Sequence, residues 1–213
     1  MTDECCRPLR CIVIIFLLLY SVADPAPAMT ADEHGVIARL AELMQWKAGT
    51  VVADIGAGDG QYSFVAARIV GPSGRVYATE IDQQKLKHLR EEVTRRKLDN
   101  MTLVEGAADD TKLPSSCCDV IFLRRVYHHL TDPRDFDKNL VRSLRVGGQL
   151  AIIDFPSDPN LAPVEGVPKN RSGHGIAAKA TVEELTSAGL HLEKTIDNWS
   201  SHDYCLIFSK VDQ

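Results

Sequence analysis

Thr50-Val-Val-Ala-Asp-Ile-Gly-Ala-Gly-Asp-Gly60 runs a short β-branched, apolar stretch directly into three glycines on alternate positions. A continuous apolar run of this length reads as a strand buried on both faces, the kind found inside a parallel sheet. Ser63 to Val70 resumes helical spacing at once, so the unit is strand, glycine turn, helix. After the turn Gly71-Pro-Ser-Gly74, a second strand is predicted from Arg75 to Glu80, ending on an acid.

Working outward, the same alternation continues. Gln83 to Lys97 places Leu86, Leu89 and Val93 on one helical face. Met101 to Glu105, Asp119 to Leu123 and Gln149 to Phe155 read as further strands, with a helix from Asp132 to Leu144 stopped by Gly147-Gly148. On the N-terminal side, Val36, Ile37, Leu40, Leu43 and Met44 stripe a helix over Asp32 to Trp46. Pro156 to Gly175 lacks apolar periodicity and reads as a long loop, followed by a helix from Thr181 to Ala188. Two strands, near Leu190 to Ile196 and Tyr204 to Lys210, lie close enough to pair as an antiparallel hairpin. Repeated β-α units fold as a doubly wound α/β sheet, mostly parallel, with helices on both faces.

At 213 residues, one globular domain is the expectation, spanning residues 29–213. With 24 Lys plus Arg against 29 Asp plus Glu, the formal charge of -5 argues against a nucleic-acid partner, which needs cationic side chains to neutralise phosphates. Arg7 and Arg10 precede the apolar run Cys11 to Val22, and Ala26-Pro-Ala28 supplies the small-x-small pattern of a cleavage site. Residues 1–28 are therefore expected to be an export signal, giving a periplasmic or secreted protein. The alternatives are an uncleaved membrane anchor through residues 11–22 and a start at Met29 that leaves the protein cytoplasmic. A permanent span needs about 20 apolar residues, more than this run provides. Cys117-Cys118 and Cys205, read as buried small hydrophobes, imply no disulfide framework, and no ligand spacing suggests a metal site.

In open α/β sheets, ligands bind beyond the carboxyl ends of the strands. Those ends carry Asp54 to Gly60, Glu80, Ala107 to Asp110 and Arg124 to His129, so four polar or glycine-rich segments converge on one crevice. A dinucleotide turn has Gly-x-Gly-x-x-Gly spacing with room for pyrophosphate. Here the spacing is tighter and Asp54 precedes it, which repels an anion and suits an ammonium and a sulfonium. Glu80, about 20 residues past the turn, is placed to accept ribose hydroxyls. A ribose with a cationic tail describes S-adenosylmethionine.

These residues resemble the seven-stranded, class I family of S-adenosylmethionine-dependent methyltransferases, over essentially all of residues 30–213. Val52-Ala-Asp-Ile-Gly-Ala-Gly-Asp-Gly60 is similar to the family's first motif, which assigns Asp54, Gly56, Ala57, Gly58 and Gly60 to the methionine part of the cofactor. Val76-Tyr-Ala-Thr-Glu80 matches the next motif and puts Glu80 on the ribose. Gly106-Ala-Ala-Asp-Asp-Thr-Lys-Leu-Pro114 resembles the adenine-contacting segment, which carries that role onto Ala108 and Asp109. Leu144-Arg-Val-Gly-Gly-Gln-Leu150 matches the turn before the fifth strand, where the family more often has Lys-Pro-Gly-Gly. Asp119-Val-Ile-Phe with Arg125-Val-Tyr-His-His-Leu-Thr-Asp-Pro133 resembles the segment of small-molecule methyltransferases where the methyl acceptor sits.

Methyl transfer to an activated carbon demands mainly positioning, so no diagnostic catalytic residue is expected. An acidic acceptor benefits from a base, and Tyr127, His128 and His129 are the candidates. Arg125, Arg171 and His174 are candidates for contacts with the acceptor, the last two from the long loop. Three functions stay open: transfer of a methyl group to a small molecule, non-catalytic binding of a ligand by an exported protein on this fold, and nucleotide-dependent oxidoreduction, against which the glycine spacing argues.

Overall fold

A computed structural model describes residues 31–168, 171 and 174–212; the expected export segment, with Cys5, Cys6 and Cys11, lies outside the described residues. The elements run α1 (Ala31–Leu43), β1 (Val51–Ile55), α2 (Gln61–Val70), β2 (Arg75–Glu80), α3 (Gln83–Arg96), β3 (Met101–Glu105), β4 (Cys118–Arg124), α4 (Pro133–Ser143), β5 (Leu144–Asp154), α5 (Ala178–Ser187), β6 (His191–Ser200) and β7 (Asp203–Ser209). The strands form one sheet in the order β3-β2-β1-β4-β5-β7-β6. The pairs from β3 to β5 are parallel, and β7 pairs antiparallel with both β5 and β6. The expected doubly wound sheet with its C-terminal hairpin is thus the observed fold. Connectivity reverses at β1, whose neighbours are β2 and β4, and this opens a crevice beyond the ends of those strands.

Successive strand residues point to opposite faces, and the sheet uses that period to build two cores. Val52, Val76, Ala78, Val120, Phe122, Ala151 and Ile153 face α1, α2 and α3, meeting Ile37, Leu40, Phe64 and Leu89. Ala53, Ile121, Leu123, Leu150 and Ile152 face the other way and meet Phe136 and Leu140 of α4 and Leu185 of α5. Both faces are buried, which is why these strands carry unbroken apolar runs instead of alternation. Trp46 and Trp199 are buried packing residues of the first core.

Local chemistry sets the ends of the helices. Asp82 Oδ1 accepts the amides of Gln84 and Lys85 at 2.8 and 3.1 Å, capping α3 and holding that carboxyl below its usual range. Pro133 opens α4, where a missing N–H costs nothing.

β5 starts at Leu144, earlier than the Gln149 read from sequence, because Leu144 already pairs with Cys118. The register then jumps to Val120 opposite Gln149. Gly147, in the left-handed region at φ 75°, and Gly148 take up the slack, so the glycine pair is an irregularity within the strand and not a helix stop. The adjacent Cys117 and Cys118 are bonded to each other as a vicinal disulfide where β4 begins, while Cys205 is free and buried.

Candidate active site

The glycine turn is shaped by backbone geometry. Gly56, Gly58 and Gly60 have φ of 71°, 56° and 78°, a region that side chains with a Cβ enter at a cost. The turn is stitched to the end of β2: the Ala57 amide donates to the Thr79 carbonyl at 2.8 Å, and the Gly58 amide donates to Glu80 Oε2 at 2.8 Å. Glu80 Oε1 accepts the amides of Ile81 and Asp82 at 2.9 and 3.0 Å. A carboxylate offers about four acceptor positions, so three amides leave one open at Oε2. A Cβ at Gly60 would collide with Leu89 and with Phe64, whereas one at Gly58 would meet nothing within 4 Å. Gly60 therefore serves packing, and Gly58 faces open space.

Asp54, one residue before the end of β1, is 4% exposed, and Ser63 Oγ donates to its Oδ2 at 2.5 Å. Burial pushes its carboxyl up to about 7, opposed by the Ser63 hydrogen bond and by Arg124, with Glu80 adding to the rise. Arg124, which ends β4, lies over the Tyr62 ring at 4.9 Å, and its Nε is buried with no hydrogen-bond partner among the described residues. Asp54, Ala57, Tyr62 and Arg124 line a hollow of about 210 Å³. Gly56, Gly58 and Arg124 also line a larger cleft of about 540 Å³ that runs past Glu80, Ile81, Ala108 and Asp110 to Val126, His129, Leu130 and Phe136. The two volumes share a wall and form one elongated site. It is polar and charged at the glycine turn and mostly apolar toward α4.

Ala108 lines the cleft; Asp109 does not, and its carbonyl accepts Asn139 Nδ2 at 3.2 Å. Asp110 faces the cleft and pairs with Lys112 at 3.0 Å.

The segment after β4 separates the acceptor-side candidates. Tyr127, His128 and His129 form a single 3₁₀ turn. Tyr127 is fully buried, and its hydroxyl donates to Asp137 at 3.0 Å, tying the turn to α4. Burial drives the Tyr127 hydroxyl well above its usual range and the Asp137 carboxyl up to about 7. His129 is partly exposed at the cleft wall, and the burial of the rest of its ring, with the nearby His128 and His174, lowers its affinity for a proton. His128 is 2% exposed, with Nδ1 at 2.8 Å from Oδ1 of Asp154, the last residue of β5.

Arg125 also lines the cleft, but its guanidinium pairs with buried Asp203 at 2.9 Å. Arg171 is buried away from the cleft, donating to the carbonyls of Leu130 and Tyr127 at 2.6 and 3.2 Å and to Glu184 at 3.1 Å. It fastens the long loop to the 3₁₀ turn and α5. His174 lies beside His128, ring centroids 5.3 Å apart.

Sequence reading gave Arg124 no role beyond its place at a strand end, and passed over Asp154. The strand-end rule that singled out Glu80 applies equally to Asp154, which closes β5. Among the described residues, no group of three or more His, Cys, Asp or Glu is arranged to hold a metal ion.

Comparison with known proteins agrees with this geometry. Residues 53–152 match the family model described as a methyltransferase domain. The demethylmenaquinone methyltransferase of Listeria monocytogenes serotype 4a is 32% identical over 120 residues, 56% of this chain and 50% of that protein. The ubiquinone/menaquinone biosynthesis C-methyltransferase UbiE of Ectopseudomonas mendocina is 30% identical over 126 residues, 58% of this chain and 49% of that one. The chain thus spans about half the length of the curated relatives it matches. Among solved structures, a SAM-dependent methyltransferase from Aquifex aeolicus superposes with a TM-score of 0.70 at 23% identity, covering 82% of this chain and 89% of that one. The [4+2]-cyclase SpnF superposes at 0.69 with 15% identity, covering 85% and 82%. Both likenesses show the fold, and the second shows that the fold by itself does not fix the reaction. Residues 53–152 thus match a methyltransferase-domain model, and the chain has the seven-stranded Rossmann-like fold of the solved methyltransferase on which it superposes.

Proposed function

We propose that the chain transfers a methyl group from S-adenosylmethionine to a small molecule bearing a hydroxylated ring. The observation that carries this reading is Glu80, a carboxylate fixed by three backbone amides with one acceptor position left, at the middle of a cleft whose two ends differ in chemistry. A charged end for the amino-acid part of the donor and an apolar end for an acceptor suit that cofactor.

The residues present fit it. Glu80 would take a ribose hydroxyl, Asp54 the ammonium, and the unpaired Nε of Arg124 the carboxylate of the methionine part. Gly58, where a Cβ would project into open space, lets the donor approach the backbone. Ile81, 63% exposed beside Ala108, offers an apolar face for the adenine. When bound, the donor supplies a methyl group already activated by a positively charged sulfur. The protein's task is then alignment, worth up to about 7–11 kcal/mol in favourable cases.

The named activities of the curated relatives, on demethylmenaquinone and in ubiquinone/menaquinone biosynthesis, favour a quinol-type ring as acceptor. Leu130 and Phe136 at the far end of the cleft supply an apolar wall for such a ring. Residues 7–28 support the further proposal of an exported protein cleaved after Ala28; N-terminal sequencing of the native protein tests it.

Calorimetry with S-adenosylhomocysteine, and with NAD as the control, tests the cofactor. Transfer of labelled methyl from S-adenosylmethionine to hydroquinone tests the acceptor class. Absence of binding heat with S-adenosylhomocysteine would end the enzymatic reading, whatever the fold.

A further inference from the structure

Two consecutive arginines at the end of β4 divide the cleft between them. Arg124 lines both the hollow at the glycine turn and the larger cleft, whereas Arg125 lines the larger cleft alone. Sheet order explains the division. The glycine turn and Glu80 stand at the ends of β1 and β2, while β4 has β5 and then β7 on its other side. Arg125 reaches toward that other side: its guanidinium meets Asp203, the first residue of β7, and lies 5.6 Å from the centre of the Phe155 ring, just past β5. It therefore belongs to the part of the cleft left for the acceptor once the donor occupies the ends of β1 and β2.

The backbone holds Arg125 there in a strained form. Its φ of 54° lies in the left-handed region, which residues with a Cβ seldom enter. Six other non-glycine residues share that geometry among the described residues, and none of them lines the cleft. Strain of this kind persists where the surroundings fix it, and it concentrates at functional sites. The Arg125 amide donates to the Ile153 carbonyl at 2.7 Å, its Nε donates to Asp203 Oδ1 and Oδ2 at 3.0 and 3.2 Å, and its Nη2 lies 2.9 Å from Oδ1. Asp203 is fully buried and also accepts Ser200 Oγ at 3.2 Å. This pairing fixes the plane of the guanidinium without using it up. A guanidinium carries five N–H donors, and Asp203 engages only Nε and Nη2. Nη1 has no hydrogen-bond partner among the described residues, on a side chain that stays 44% exposed at the cleft wall.

We propose, resting on the methyltransferase reading above, that Arg125 is the specificity-determining residue for the acceptor, its unused N–H groups receiving a ring-borne oxygen that carries negative charge. The substrate class is then a phenol that binds as its phenolate, with the proton released to solvent. An anionic oxygen forms the stronger, charge-assisted hydrogen bond to a guanidinium, whereas an ammonium is repelled by it. The carboxylates of the cleft leave these donors open, since Glu80 is held by backbone amides and Asp110 pairs with Lys112 at 3.0 Å. Val126, Leu130 and Phe136 line the same cleft and give the body of a flat ring its apolar wall. A planar cation beside an apolar wall thus selects a hydroxylated ring over an amine.

The test uses the full chain saturated with S-adenosylhomocysteine and two probes of similar shape, 4-nitrophenol and 4-nitroaniline, followed by absorbance. The wild type is expected to bind the phenolate about ten- to a hundredfold more tightly than the aniline, the range for a hydrogen bond to a charged group. The bound phenol is also expected to ionise at a lower pH than the free phenol. Replacing Arg125 alone by a neutral residue leaves Asp203 as an uncompensated buried charge, which is strongly destabilising. The variant is therefore the double substitution Arg125→Gln with Asp203→Asn, which should bind S-adenosylhomocysteine and the aniline like the wild type while losing both the preference for the phenolate and the shift in its ionisation. Arg125→Lys, which keeps a cation against Asp203 but not the second prong of the fork, should fall between the two. A wild type with no affinity for the phenolate or no preference for it, or either variant with the wild-type preference intact, would overturn the assignment. Failure of the wild type to bind S-adenosylhomocysteine would instead sink the underlying methyltransferase reading.

Discussion

The amide of Gly58 donates to Oε2 of Glu80 at 2.8 Å, so the glycine turn that ends β1 and the acid that ends β2 are one structural unit. Glu80 fixes the shape of the glycine turn and still presents an oxygen to the cleft.

Glu80→Ala removes both roles. A hydrogen bond to a charged group contributes about 1.5–3 kcal/mol, so affinity for S-adenosylhomocysteine is expected to fall roughly ten- to a hundredfold. Calorimetry checks this, and retained affinity would remove Glu80 from the site.

The glycines separate binding from folding. Gly58→Ala places a methyl group in open space, at a strain of about 1–2 kcal/mol for the left-handed backbone, and should weaken the cofactor far more than the fold. Gly60→Ala drives a Cβ into Leu89 and Phe64 and should lower the thermal midpoint sharply. Paired melting and binding curves distinguish the two, and equal effects on both properties would contradict the geometry.

Asp54 makes cofactor affinity pH-dependent. With burial raising its carboxyl to about 7, the free site is largely protonated in mild acid, and an ammonium can pair with it only after the proton leaves. Affinity should therefore be level above about pH 7 and fall below it, approaching tenfold per pH unit. The raised value also means that the contribution of Asp54 to stability is present in acid and is lost as pH rises through about 7. Asp54→Asn should accordingly gain stability relative to the wild type at about pH 8 compared with pH 5, while losing the cofactor. Isothermal titrations and melts across that range decide both points, and pH-independent affinity would count against an ammonium at Asp54.

Tyr127→Phe provides the contrast. Deleting the hydroxyl leaves buried Asp137 without its donor and should cost about 1–2 kcal/mol of stability. Binding of S-adenosylhomocysteine should not change, because Tyr127 contributes nothing to the cleft lining. A loss of affinity as large as that of stability would show the 3₁₀ turn to be coupled to the cofactor site.

The amino-acid sequence by itself determined the layered α/β sheet, the glycine turn and the acid at the end of β2, because these follow from local rules: residue spacing, backbone freedom at glycine, and the tendency of parallel strands to present their carboxyl ends together. It placed the boundary between α4 and β5 differently, since only pairing with β4 draws Leu144 into the strand. It also left Tyr127, His128 and His129 as equals. Three adjacent residues on one tight turn point in different directions, and what each side chain meets belongs to distant parts of the chain: Asp137 on α4 for Tyr127, Asp154 on β5 for His128, the open cleft for His129. Arg171, read as a substrate contact on a loop, became a buried strut for the same reason. Tertiary structure alone decided these roles, because burial and hydrogen-bond partnership are properties of what folds against a residue, not of its neighbours in sequence.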